Sequence, residues 1–137
     1  MSIFVDSSAW YAAVHRGDRH NSRAKRLLAT DEQLVTSDHV LVETWRLIHH
    51  VISARAAEVF WDGLRSGVAT IEQTISADLE AAWAIGERFP DQNFSLVDRT
   101  SFALMERLGI SRVISFDKDF AVFRYGRGRR NAFEVLT

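Results

Sequence analysis

Ile3-Phe4-Val5-Asp6-Ser7-Ser8 sets a wholly apolar run directly before a carboxylate and two hydroxyl residues. A short uninterrupted apolar run reads as a strand buried on both faces, the kind found in parallel sheets covered by helices. The run stops at Asp6, and Ser7-Ser8 offers an N-cap for a helix from Ala9 to Val14. The same succession recurs along the chain. Gln33-Leu34-Val35-Thr36 is a strand, after which Ser37 or Asp38 caps a long helix carrying Val40, Leu41, Thr44, Leu47, Ile48, Val51 and Ile52 at helical spacing. Arg112-Val113-Ile114-Ser115-Phe116 is a strand ending at Asp117, with a short helix over Asp119 to Phe123 behind it.

The intervening segments complete the alternation. Gly17-Asp18 breaks the first helix, and a second spans about His20 to Ala29. Ser53 opens a helix ending near Gly67, Val68 to Thr74 reads as a strand, and Ser76 begins a helix that Pro90, the only proline, ends after Phe89. Ser95 starts a helix through Leu108, closed by Gly109. Ala132 to Leu136 is a last, edge strand. Strands alternating with helices predict an α/β fold: one domain over residues 1–137, with a twisted parallel sheet of about five strands flanked by helices on both faces.

Composition narrows the class. The chain has 137 residues, 47% apolar and 26% charged, which suits a single globular domain. There is no cysteine, which excludes disulfides and thiolate metal sites. The first residues lack the basic start and apolar core of a signal peptide, and no run reaches membrane-spanning length, so a soluble cytoplasmic protein is expected. Net charge is −1, but the cations are clustered. Arg16, Arg19, Arg23, Lys25 and Arg26 crowd one stretch, and Arg124, Arg127, Arg129 and Arg130 another. Local basic patches on a neutral protein can hold phosphates, although solvated helix and loop faces account for any single arginine.

The acids carry the chemistry. Ligands bind parallel α/β sheets at the strand C-termini. Asp6 and Asp117 directly follow strands, Glu43 borders the buried stripe of its helix, and Asp98 lies in the first turn of another helix. All four are expected on one edge. Gathered carboxylates repel each other, so folding alone does not explain them, whereas Mg²⁺ or Mn²⁺ does. Without His or Cys in the set, zinc is disfavoured. The chemistry that suits such a cluster is phosphodiester hydrolysis. Each acid also has a plainer explanation: Asp98 as half of a capping box with Ser95, Asp6 as a cap or Asx turn, Asp117 and Asp119 as turn residues. Convergence of the whole set on the ligand edge favours a site.

Phe4-Val5-Asp6-Ser7-Ser8-Ala9-Trp10, Thr36 to Thr44 with Glu43, Ser95 to Ala103 with Asp98, and Ile114-Ser115-Phe116-Asp117-Lys118-Asp119-Phe120 resemble, in order, the segments of PIN domains. Ser115 stands where that family usually has Thr. The resemblance covers essentially the whole chain, and the length suits the VapC toxins of toxin–antitoxin pairs. It implies Asp6, Glu43, Asp98 and Asp117 as catalytic ligands of Mg²⁺ or Mn²⁺, with Asp119 as an auxiliary acid and Ser8 and Ser115 as hydrogen-bonding supports. It also implies cleavage of structured RNA (tRNA or rRNA) to 3′-hydroxyl and 5′-phosphate ends, a homodimer, and an antitoxin that covers the acids. The basic residues from Arg16 to Arg26 and Arg124 to Arg130 are the candidates for gripping RNA.

Other functions fit less well. A haloacid-dehalogenase phosphatase needs an Asp where Ser8 stands, a response-regulator receiver needs an early acidic pair, and there is no glycine-rich phosphate loop. The rival is a PIN-like module that binds RNA or protein without cutting; its mark would be a missing acid, and all four are present. The five histidines and Trp10, Trp45, Trp61 and Trp83 are read as core, dimer or solvent-facing residues. Trp45 stays open because it is near Glu43, and His39 because it is near the same helix start.

Overall fold

The pairing of β1 (Ser2–Val5) decides the architecture of the computed structural model, which describes residues 1–137. β1 lies between β2 (Gln33–Ser37) and β4 (Arg112–Ile114), with Ile3 opposite Leu34 and Phe4 opposite Val113. β3 (Thr70–Glu72) flanks β2 and β5 (Glu134–Leu136) flanks β4, so the order is β3-β2-β1-β4-β5, all parallel. Every residue from Phe4 to Asp6 is buried, as a central strand with both faces covered requires.

The crossovers divide into two sets. α1 (Ser7–Val14), α2 (Asn21–Leu28), α3 (Asp38–Val51) and α4 (Ala54–Gly63) connect β1 to β2 and β2 to β3, and pack on one another. α5 (Ser76–Arg88) and α6 (Leu96–Leu108) pair with each other and carry the chain back across the sheet to β4; α7 (Asp119–Val122) leads on towards β5. Right-handed crossovers running in opposite directions along the sheet put the two sets on opposite faces. Phe102, Phe120 and Phe123 are buried under the second face, with Phe102 and Phe123 stacked at 4.3 Å.

Several boundaries differ from the sequence reading. The helix after Ser53 does not simply end near Gly67: residues Leu64–Val68 form a π turn in which Gly67 takes φ 111°, so β3 starts at Thr70, not Val68. β4 ends at Ile114 because the next residues turn out of the sheet to build the site described below. Asp6, not Ser7 or Ser8, is the N-cap of α1. Ile75 occupies the cap position of α5, and its backbone N–H donates to Asp78 in place of a side-chain cap. Gly109 closes α6 in the left-handed region, φ 70°, as expected for a helix ended by glycine.

Candidate active site

In this strand order the chain leaves β1 and the adjacent β4 towards different faces, which opens a crevice at their C-terminal ends. Asp6 stands at the end of β1. Its carboxylate caps α1, where Ser8 N–H donates to Oδ2 at 3.4 Å. The same oxygen accepts from Ser8 Oγ at 2.8 Å and from Ser115 Oγ at 3.0 Å. Ser8 Oγ in turn accepts the Phe116 N–H at 2.9 Å, and Ser115 Oγ accepts the Asp117 N–H at 3.0 Å. Two hydroxyls therefore pin Asp6 and also fix the backbone bend that carries Asp117. Asp117 accepts the Asp119 N–H at 2.9 Å, which sets Asp119 in the first turn of α7.

Asp98 comes from the opposite side. Ser95 Oγ accepts the Asp98 N–H at 3.0 Å, so Ser95 caps α6. Only this half of the capping box forms. The Asp98 carboxylate is turned towards Asp117 and Asp119, and one oxygen from each of these three groups lies within 4.8 Å of the others. Burial, then the charge of Asp6, a hydrogen bond shared with Asp119 and the charges of Asp117 and Asp119, push the Asp98 carboxyl up to about 8. Burial also raises Asp6, against the opposing effect of the Ser8 and Ser115 hydroxyls.

Glu43 reaches the cluster through Ser7, which the sequence presents only as a helix-cap candidate. Ser7 Oγ donates to Glu43 Oε1 and lies 3.4 Å from Asp6 Oδ1, bridging the two acids. The only available signal was position: as the first residue of α1, Ser7 had to project from the same strand end as Asp6. Asp6, Glu43, Asp98, Asp117 and Asp119 thus lie around one edge, with Ser8 and Ser115 beneath.

The basic stretches separate. His20 stacks on Phe116 at 4.4 Å with rings 7° from parallel, so the stretch containing Arg16, Arg19, Arg23, Lys25 and Arg26 touches, through His20, the residue that precedes Asp117. Arg124 to Arg130 is not brought to the acids in this way. Arg124 Nη1 donates to the carbonyls of Ala121, Val122 and Phe123, and Arg129 lies 5.0 Å over Phe89. The turn closes through Tyr125 and Asn131 and feeds the start of β5, the opposite edge of the sheet.

An all-carboxylate cluster with a buried, proton-holding Asp98 at its centre fits a hard divalent cation: the donors are all oxygen, and the mutual repulsion lacks a protein cation to relieve it. The family profile for the PIN domain matches residues 3–124. The chain belongs to the PIN-domain family. Over 121 residues, 87% of the chain and 92% of the relative, this PIN domain is 41% identical to the 23S rRNA-specific endonuclease VapC20 of Mycobacterium tuberculosis. The crystal structure of that VapC20, described as a sarcin–ricin loop cleaving toxin, superposes with a TM-score of 0.83 at 38% identity, covering 88% of this chain and 93% of the other. VapBC2 from Rickettsia felis bound to a promoter DNA fragment (TM-score 0.60, 12% identity, coverage 86% and 89%) shares the fold. So does a toxin–antitoxin complex from Klebsiella pneumoniae (TM-score 0.63, 16% identity, coverage 98% and 96%).

Proposed function

We propose that this PIN domain is a metal-dependent endoribonuclease of the VapC toxin type, and that its substrate is the sarcin–ricin stem–loop of 23S rRNA. The observation that carries the reading is the convergence of Asp98, Asp117 and Asp119 beside Asp6 at the crevice. The substrate follows from the relationship to VapC20 over most of both chains.

Asp6, Glu43, Asp98 and Asp117 would hold Mg²⁺ or Mn²⁺, with Asp119 as a further oxygen ligand. Bound there, the ion supplies neutralisation of phosphate charge and activation of water for in-line attack. Ser8 and Ser115 fix the Asp6 carboxylate, and Ser7 holds Glu43 against it, so the acids keep their spacing when a phosphate arrives. Holding the ion would require Asp98 to release its proton, so metal and proton would compete for this carboxylate. Water would add to phosphorus as the P–O3′ bond breaks, with one water proton ending on O3′ and the other lost to solvent as the 5′-phosphate ionises, leaving a 3′-hydroxyl and a 5′-phosphate. The Arg16 to Arg26 stretch, on the rim, is suited to the flanking backbone; Arg124 to Arg130 would meet RNA only at a distance from the cut.

Two partners complete the proposal. A cognate antitoxin would restrain the enzyme by covering the acids. A second copy would cover part of the exposed apolar surface, of which Leu79 and Trp83, four residues apart on α5, are 45% and 68% exposed. No helix is long and apolar enough to cross a membrane.

The test is cleavage of total bacterial RNA by purified protein with Mg²⁺ or Mn²⁺, with EDTA, and with the Asp6→Asn variant. Discrete fragments that map to the sarcin–ricin loop and vanish in both controls are expected. Full activity in the variant would sink the assignment, and a folded, metal-loaded protein that cuts nothing would point to a binding module.

A further inference from the structure

A concavity of about 910 Å³ is lined by Glu43 and runs along α3. Its polar lining is one-sided. Glu43 is the only acid, and Ser7 already engages it; the remaining polar groups are Arg46, His39, His49 and His50, with Val97 of α6 closing the far wall. Arg46 is exposed and has no ion-pair partner, although Glu43 is only three residues away on the same helix. His39 Nδ1 is within hydrogen-bond distance of Thr100 Oγ1, at 3.2 Å, which fixes the ring between α3 and α6. Trp45 stacks on His49 with centroids 5.0 Å apart and supports that ring from within the cavity.

An exposed Arg46–Glu43 pair would add little stability, and Ser7 already occupies Glu43, so the guanidinium and the three imidazoles are left free to meet an incoming anion. Nucleic-acid phosphates meeting an acidic centre need a cation close by that the acids do not neutralise. Arg is the side chain suited to this, because its fork of donors matches phosphate oxygens.

We infer that this α3 cavity is the subsite for the RNA backbone next to the scissile phosphate, with Arg46 as its phosphate-binding residue and His39, His49 and His50 as imidazole hydrogen-bond donors around it. The inference rests on the ribonuclease reading and adds where the strand runs: from the Arg16–Arg26 rim, across the carboxylates, onto α3. Arg46 is then a binding residue, not one that touches the reacting atoms.

The test uses the full chain carrying Asp98→Asn, so that RNA is bound and not consumed. Binding of a synthetic sarcin–ricin stem–loop, and of an unrelated hairpin, is followed by fluorescence anisotropy over a salt series. Adding Arg46→Gln should weaken both hairpins by roughly five- to tenfold and lower the slope of log K against log salt by about 0.7–0.9, the signature of one lost phosphate contact. Arg46→Lys should recover most of the salt slope, which a merely structural role would not predict. Unchanged affinity and slope in Arg46→Gln, with thermal melting showing a folded protein, would overturn the subsite and leave the nuclease reading intact. So would loss of binding that tracks dissociation of a dimer in sedimentation, which would assign the cavity to a second copy. If neither this parent nor the wild-type chain in EDTA bound either hairpin, the ribonuclease reading itself would fail and this one with it.

Discussion

Asp98 sits under two opposing demands: it is buried at a helix start among three other carboxylates, yet the proposed chemistry needs it anionic. Its folded value of about 8 lies above its ordinary value of 3.8, so the metal-free native state holds a proton that the unfolded chain has released at neutral pH. Asp98's contribution to the stability of the metal-free protein is therefore fully present below about pH 4 and is lost as pH rises towards 8. Asp98→Asn should remove that decline and raise the metal-free melting temperature at pH 7.5 by about 3–8 °C, roughly 1–2 kcal/mol in a domain of this size, while abolishing cleavage. Millimolar Mg²⁺ should raise melting in the wild type and do little in the variant; calorimetry at several pH values checks both, and a variant less stable than the wild type without metal would contradict the account. At this scale Asp6, Asp98 and Asp117 were legible because each follows a strand or opens a helix, and Glu43 because it borders the buried stripe of its helix. Ser7 was not, since two adjacent serines after Asp6 look alike until the helix phase is known. Nor was Arg46, whose meaning depends on Glu43 being taken by Ser7.

Among the elements, the α5–α6 pair is held by a contact that no local pattern discloses. Asp78 is buried and accepts two hydrogen bonds from Arg107, from Nε to Oδ1 and from Nη2 to Oδ2, each 2.9 Å. Burial pushes the Asp78 carboxyl up, but the Arg107 hydrogen bonds, the Ile75 N–H and the Arg107 charge outweigh it and hold the group below its ordinary range. A depressed folded value means that the contribution is present above about pH 4 and is lost as pH falls through the folded value. Asp78→Ala should cost about 1–3 kcal/mol near neutrality, through the unpaired Arg107 and the lost Ile75 cap. The difference from wild type should shrink in acid, as urea unfolding at pH 7 and pH 3 would show; a constant difference would mean that packing, not the charge pair, carries the effect. The helices themselves were legible from apolar spacing and from Pro90 and Gly109. Their tie was not, because Asp78 and Arg107 are 29 residues apart and both look like ordinary surface charges.

For the whole molecule, alternation of strands and helices gave away a parallel sheet, but not its order, and the order decides what lies near the crevice. With β1 beside β4, the stretch around His20 falls at the rim of the acids, while the Arg-rich turn before β5 enters from the far edge. Both stretches look equally basic in the sequence. The exposed Trp83 is a property of the whole as well: 68% exposure of the largest apolar side chain suits contact with a second copy. Trp83→Glu should leave melting within about 1 kcal/mol of wild type and convert the proposed dimer to a monomer in sedimentation equilibrium; an unchanged mass would place the dimer contact elsewhere or dispense with it.

The central position of β1 also bears on synthesis. Asp6 and Glu43 leave the ribosome early, but β4, which pairs with β1 and carries Asp117 and Asp119 into place, comes more than a hundred residues after Asp6. A nascent chain that has folded β1 to β3 holds two of the acids and cannot close the crevice. With the acids in the proposed roles, cleavage would have to wait until translation is nearly finished, and frameshifts or truncations before β4 would remove it.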